Sequence, residues 1–148
     1  MKKYLVIGNP IDHSLSPLLH NYWIKKNKIE AIYEKKLIIE NEIEKIISLL
    51  KSKKLNGINV TVPFKNKVVP FMDSLTEEAN ETQSVNTIYC KNEKIIGHNT
   101  DIAGFELGIR SYGYDVKKKK CFYIWCWRCC TLNNCCIKKN GSIKNFSI

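Results

Sequence analysis

Short β-prone runs alternate with amphipathic helical stretches along the first 112 residues, and that alternation limits the fold more than any other feature of the chain. Lys3 to Ile7 reads as a strand, Pro17 to Lys28 as a helix, Ile32 to Lys36 as a strand and Asn41 to Lys54 as a helix. In the second helix Ile43, Ile46, Ile47 and Leu50 recur at three- and four-residue spacing and form one apolar stripe, with Glu42, Glu44 and Lys45 off it. Gly57 to Val62 is the next strand, and Lys65 to Phe71 and Thr76 to Glu81 are short helices. Thr87 to Cys90 and Lys94 to Gly97 make a hairpin around Lys91-Asn92-Glu93, and Thr100 to Tyr112 is a last helix. Such units predict an α/β fold with a mostly parallel sheet flanked by helices. The hairpin makes the sheet mixed.

The polar residues that could do chemistry sit at the ends of these strands. In GINVTVPFK, Gly57 to Lys65, side chains alternate, so Asn59 and Thr61 share one face while Val60 and Val62 take the other and can be buried. Pro63 stops the strand, and Lys65 adds an ammonium at the rim, where α/β proteins build sites. Read alone, the stretch is equally compatible with a satisfied strand end and a surface lysine. In GNPIDHSLSP, Ser14 and Ser16 are two apart, and Ser16 can cap a helix opened by Pro17. Asn86 in QSVNT, and Asn99, Thr100 and Asp101 in GHNTD, follow short apolar runs where the chain turns.

These pieces, taken in order, resemble the substrate-binding half of shikimate dehydrogenase: the serine pair, NVTVPFK, the VNT of Val85 to Thr87, and the NTD of Asn99 to Asp101 followed by Gly104. The resemblance covers residues 1–112 and implies NADP-linked, reversible reduction of 3-dehydroshikimate to shikimate in chorismate and aromatic amino-acid biosynthesis. It implies Lys65 and Asp101 as the catalytic pair. Lys65 would donate the proton and stabilise the developing alkoxide, and Asp101 would orient it, sharing the proton in the reverse direction. Asp101 alone also reads as a helix N-terminal acid. Ser14, Ser16 and Thr61 would hold the substrate carboxylate, and Asn59 and Asn86 the ring hydroxyls. His13 and His20 are further acid/base candidates, but His20 falls inside the first helix, which favours a packing or surface role. Gln83-Ser84 stands where the family has glycine and alanine. The resemblance also admits a homodimer, leaves quinate open beside shikimate, and makes a stand-alone binding module the alternative to an enzyme.

Composition excludes other classes. No apolar run is long enough to span a membrane, and Asn9-Pro10 interrupts the first apolar stretch, so a cytoplasmic protein is expected. The net charge of +10 would suit nucleic acid, but residues 1–116 hold 16 basic and 14 acidic residues, while the last 32 hold eight basic and none acidic. Cysteine breaks at the same place: Cys90 stands alone, whereas Cys121, Cys126, Cys129, Cys130, Cys135 and Cys136 crowd the tail. Cys126 and Cys129 have zinc spacing, but the adjacent pairs chelate tetrahedrally only with difficulty and no histidine lies nearby, so no metal is expected.

A frameshift explains the tail better. Lys117 to Lys120 implies a long adenine run. Read one base later, Trp125 and Trp127 both become glycine, and Cys121 to Arg128 becomes Val-Phe-Ile-Phe-Gly-Ala-Gly-Gly, with valine open for the alanine and aspartate for the last glycine. That is a buried strand entering a glycine turn, as a dinucleotide domain begins. The expected organisation is therefore a substrate domain over residues 1–112, a linker over 113–120, and a frameshifted remnant of the NADP domain over 121–148. In its own frame the chain has no cofactor-binding loop, since Pro10 removes an N–H from the one turn that comes near the pattern.

Overall fold

The computed structural model describes residues 1–113, which form six strands and four α-helices. They run β1 (Lys2–Gly8), α1 (Ser16–Lys26), β2 (Ala31–Leu37), a 3-10 turn (Glu40–Glu42), α2 (Ile43–Lys51) and β3 (Gly57–Val60). A second 3-10 turn (Val69–Phe71), β4 (Ser74–Leu75), α3 (Glu77–Thr82), β5 (Thr87–Lys91), β6 (Lys94–His98) and α4 (Asp101–Ser111) follow. The strands lie in the order β2-β1-β3-β5-β6-β4. Every neighbouring pair is parallel except those involving β5, which runs against β3 and β6. The sheet is therefore mixed and mostly parallel, as the alternation predicts.

The two faces differ. On one, Leu5, Ile7, Ile58, Val60, Ile88 and Ile95 meet the α2 stripe of Ile43, Ile46, Ile47 and Leu50 in the main core. On the other, Val6, Ile11 and Tyr33 form a smaller cluster against which Tyr4 and Ile24 pack. α1 belongs to this second face and buries no residue fully. Asn21 pins it to β2 by donating Nδ2 to Tyr33 O at 2.8 Å and accepting Tyr33 N–H through Oδ1 at 3.0 Å.

Several sequence expectations need correction. Leu15, not Ser16, is the cap residue of α1; Ser16 is the first helical residue and donates its N–H to Ser14 Oγ at 3.4 Å. The strand after Gly57 ends at Val60 and Val62 is only half-buried: Thr61 N–H still pairs with Ile7 O of β1 at 2.9 Å, but Val62 O goes to Asn9 N–H at 3.0 Å and Pro63 offers no N–H to extend the ladder. The helix read over Lys65 to Phe71 is a run of turns ending in the 3-10 turn. Lys65 O accepts Val85 N–H at 2.8 Å instead of continuing a helical ladder, and Pro70 offers no N–H. The helix before Lys54 begins as a 3-10 turn and ends at Lys51. The two-residue β4 carries too few residues to show a period.

Asp73, just ahead of β4, receives Ile95 N–H at 2.7 Å and faces Lys51 Nζ at 3.4 Å. Chiefly the backbone N–H, and then the ammonium, hold its carboxyl below the usual 3.8. A depressed folded value gives stability that is present above the unfolded pKa and lost as pH falls through the folded one. Wild type and Asp73→Asn should thus differ in urea unfolding at about pH 6 and converge toward about pH 2; a constant difference across that window would show that the charge is not involved. Among the described residues no helix is long and apolar enough to cross a membrane.

Candidate functional site

Strand direction brings the polar residues together. β1, β3 and β6 share a direction, so their C-terminal ends lie at one edge, and β5, running against them, starts at that same edge. The chain leaves β1 toward Ser14 and Ser16, leaves β3 through Asn59 and Thr61 to Lys65, enters β5 from Asn86, and leaves β6 into Asn99, Thr100 and Asp101. This is the crevice position at which open α/β sheets place ligands.

At one end of the edge lies a polar cluster centred on an ion pair. Lys65 Nζ donates to Asp101 Oδ2 at 2.7 Å, with side chains 16% and 36% exposed. Asn86 Nδ2 donates to Asp101 Oδ1 at 2.9 Å and to Thr100 Oγ1 at 2.8 Å. Asn86 Oδ1 accepts from Thr100 N–H at 3.1 Å and from Thr87 Oγ1 at 3.0 Å. Asn59 Nδ2 donates to Asn86 O at 3.2 Å and Thr87 Oγ1 at 3.1 Å, and its Oδ1 accepts from the Tyr33 hydroxyl at 2.7 Å. Beneath them Asn99 accepts Asp101 N–H through Oδ1 at 2.9 Å and donates Nδ2 to Ser84 O at 2.9 Å.

At the other end Ser14, Ser16 and Thr61 line an open cavity of about 200 Å³ with Val6, Pro10, Ile11 and His13. Ser14 Oγ accepts from Ser16 N–H, which leaves its hydrogen directed elsewhere. Gly8 makes room for this wall: a Cβ there would lie 2.5 Å from Thr61 Cγ2 and 3.1 Å from Val62 O. Chemically the edge offers hydroxyl donors at one end, and at the other an ammonium and carboxylate in contact, flanked by amides. That suits a small molecule with an anionic group and several hydroxyls, one of which exchanges a proton.

All seven residues singled out in the sequence lie along this edge: Lys65, Asp101, Asn86 and Asn59 in the polar cluster, and Ser14, Ser16 and Thr61 in the cavity wall. His20 packs rather than reacts, stacking on Tyr33 with ring centroids 4.2 Å apart, and burial pushes its pKa down. Sequence reasoning missed Gly8, Tyr33 and Thr87. Thr87 carries a weak signal, following Asn86 in the same motif; Tyr33 carries none, because its partner lies two strands away. Gln83 adopts φ 50°, a left-handed conformation favoured by glycine, which fits its place in the motif.

The described residues do not form a dinucleotide cradle. Asn9 N–H is already given to Val62 O at 3.0 Å, and Pro10 has none to offer. Among the described residues no group of three or more His, Cys, Asp or Glu side chains could hold a metal. The tail cysteines and the segments expected to be a linker and a frameshifted remnant lie outside the described residues apart from Gly113.

Residues 6–88 match the family model described as shikimate dehydrogenase substrate binding domain. The chain is 58% identical over 119 residues to a shikimate dehydrogenase (NADP(+)) of Pelagibacter ubique, covering 80% of this chain and 45% of that one. Among solved structures, the shikimate dehydrogenase of Aquifex aeolicus aligns with a TM-score of 0.70 and 40% identity, over 75% of this chain and 42% of its own. Shikimate 5-dehydrogenase of Listeria monocytogenes, solved in complex with shikimate and NAD, aligns with a TM-score of 0.74 and 28% identity over 78% and 40%. The chain thus spans less than half the length of these relatives.

Proposed function

The chain belongs to the shikimate dehydrogenase substrate binding domain family, and from that premise we propose that its strand-end edge binds shikimate and 3-dehydroshikimate and handles the proton of their interconversion. The observation that carries this reading is the Lys65–Asp101 contact at 2.7 Å, with Asn86 on the other carboxylate oxygen. When the ketone is reduced its oxygen gains negative charge, and the Lys65 ammonium both stabilises that charge and gives up the proton. Asp101 holds Lys65 and accepts from a ring hydroxyl. Ser14, Ser16 and Thr61 hold the carboxylate. Both Asn86 amide hydrogens are engaged, so a ring hydroxyl reaches that amide by displacing Thr100 Oγ1, whose residue is exposed.

The relatives are named as NADP(+) enzymes, and bound NADP would supply hydride. The described residues form no cradle for it. Residues 1–112 are read as the substrate domain with its exit helix, 113–120 as a linker and 121–148 as a frameshifted remnant of a dinucleotide domain. The 119-residue extent of identity to the Pelagibacter relative, in a chain of 148, supports that division. Resequencing the codons from Val116 to Arg128 tests it: a one-base change restores the dinucleotide domain, whereas an unchanged run together with a conserved tail in the expressed protein would overturn the reading. Calorimetric titration of shikimate into the 148-residue chain tests the binding reading, which fails if saturable heat is absent.

Gly8→Ala tests the cavity end separately. The added methyl must push Thr61 aside, and overpacking of this kind costs about 1–3 kcal/mol. Shikimate affinity should fall roughly tenfold with the fold retained, because the worst contact, at 2.5 Å, is with Thr61 Cγ2, the end of a side chain that can rotate away, whereas Val62 O at 3.1 Å need shift only slightly. Unchanged affinity would remove Thr61 from the site.

A further inference from the structure

Resting on the ligand reading above, we infer that Tyr33 and Thr87 are positioning residues that lock the amides supporting Lys65 and Asp101 in the one donor and acceptor sense their backbone neighbours allow. Backbone groups force that sense at both ends. Asn86 O can only accept, so the part of the Asn59 amide facing it at 3.2 Å is Nδ2, and Oδ1 therefore faces Tyr33. The tyrosine hydroxyl must donate. Thr100 N–H can only donate, so the Asn86 atom 3.1 Å from it is Oδ1.

Thr87 joins the two amides. Its hydroxyl accepts from Asn59 Nδ2 and gives its single hydrogen to Asn86 Oδ1 at 3.0 Å. With its oxygen so occupied, Asn86 turns Nδ2 toward Asp101 Oδ1 and leaves Oδ2 to Lys65. Were the Asn86 amide reversed, its oxygen would face the carboxylate and repel it.

Tyr33 is built to be a fixed donor. It is 4% exposed, lies in the cluster with Val6 and Ile11, is stacked by His20 and has its backbone bracketed by Asn21. Burial also raises its pKa to about 12, so the hydroxyl keeps its hydrogen across the physiological range. Because His20 and Asn21 belong to the helix that begins at Ser16, Tyr33 ties the serine wall of the cavity to the Lys65–Asp101 end. The position is thus a link between the two halves of the site as well as an end of the relay.

The test uses the 148-residue chain with Tyr33→Phe, Thr87→Val and the conservative Thr87→Ser. Without ligand, the side-chain amide signals of Asn59 and Asn86 in 1H–15N spectra should shift in Tyr33→Phe and Thr87→Val, and return in Thr87→Ser. Shikimate affinity should drop roughly threefold to tenfold in the first two and stay near wild type in the third. A role confined to stability would lower the melting temperature while leaving the Asn86 signals and the affinity unmoved, and would overturn the inference. Shifted signals with unchanged affinity would overturn it as well. A wild-type chain that fails to bind shikimate sinks the ligand reading instead, and the relay is then decided by the amide signals alone.

Discussion

Lys65→Met is expected to weaken shikimate binding by roughly 10- to 100-fold while leaving the fold intact, as hydrogen bonds to charged groups contribute about 1.5–3 kcal/mol. Methionine keeps an apolar stem of similar length, and removes the ammonium that meets Asp101 Oδ2 at 2.7 Å. Two consequences add. The ligand loses its cationic donor, and Asp101 is left as an uncompensated carboxylate beside an anionic ligand, with Asn86 Nδ2 still donating to it. Lys67→Met is the control, since Lys67 pairs with Glu40 on the open surface, where such a contact contributes little. Calorimetric titration of both variants separates contact from long-range field. Equal losses would reduce Lys65 to a general positive charge, and a Lys65→Met affinity within twofold of wild type would remove it from the site.

The residues that the sequence identifies best are those whose role follows from local geometry. Strand alternation places Asn59 opposite the buried Ile58 and Val60, which are 2% and 3% exposed, and so assigns it to the working face without any knowledge of strand order. The α2 stripe is read for the same reason, each member meeting the core because helical spacing allows nothing else. What fails is everything set by distant partners. The carbonyl of Lys65 is taken by Val85, so a stretch with helix-compatible residues becomes turns. Tyr33 reaches Asn59 across β1, a contact that exists only once β2, β1 and β3 are in that order. Ser16 has the composition of a cap but sits one position inside the helix, and its own N–H goes to Ser14 Oγ. The frameshift reading is of a third kind, drawn from codons rather than from folding, and it concerns residues outside those described.

Asn99→Leu should affect the same site in the opposite order, stability first and ligand second. Asn99 is 1% exposed, and its amide fastens α4 to the turn before β5 through Ser84 O at 2.9 Å and Asp101 N–H at 2.9 Å. Leucine fits the volume but can pair with neither. Asp101 N–H loses its partner and Ser84 O keeps only a long bond from Thr82 Oγ1 at 3.5 Å; a buried group left unpaired costs about 1–3 kcal/mol and the added apolar contact offsets only part, so a net loss of about 1–3 kcal/mol in urea unfolding is expected. Against a total of about 5–15 kcal/mol for an ordinary domain that is a large fraction. Ligand affinity should fall as well, because the first turn of α4 sets where Asp101 Oδ1 meets Asn86 Nδ2, and a loosened helix start widens that distance. Asn99→Leu would then be both less stable and weaker in binding, whereas Lys65→Met would be weaker in binding alone. A loss of stability below about 1 kcal/mol would mean that water replaces the amide, and that the helix carrying Asp101 is held by its own capping turn rather than from beneath.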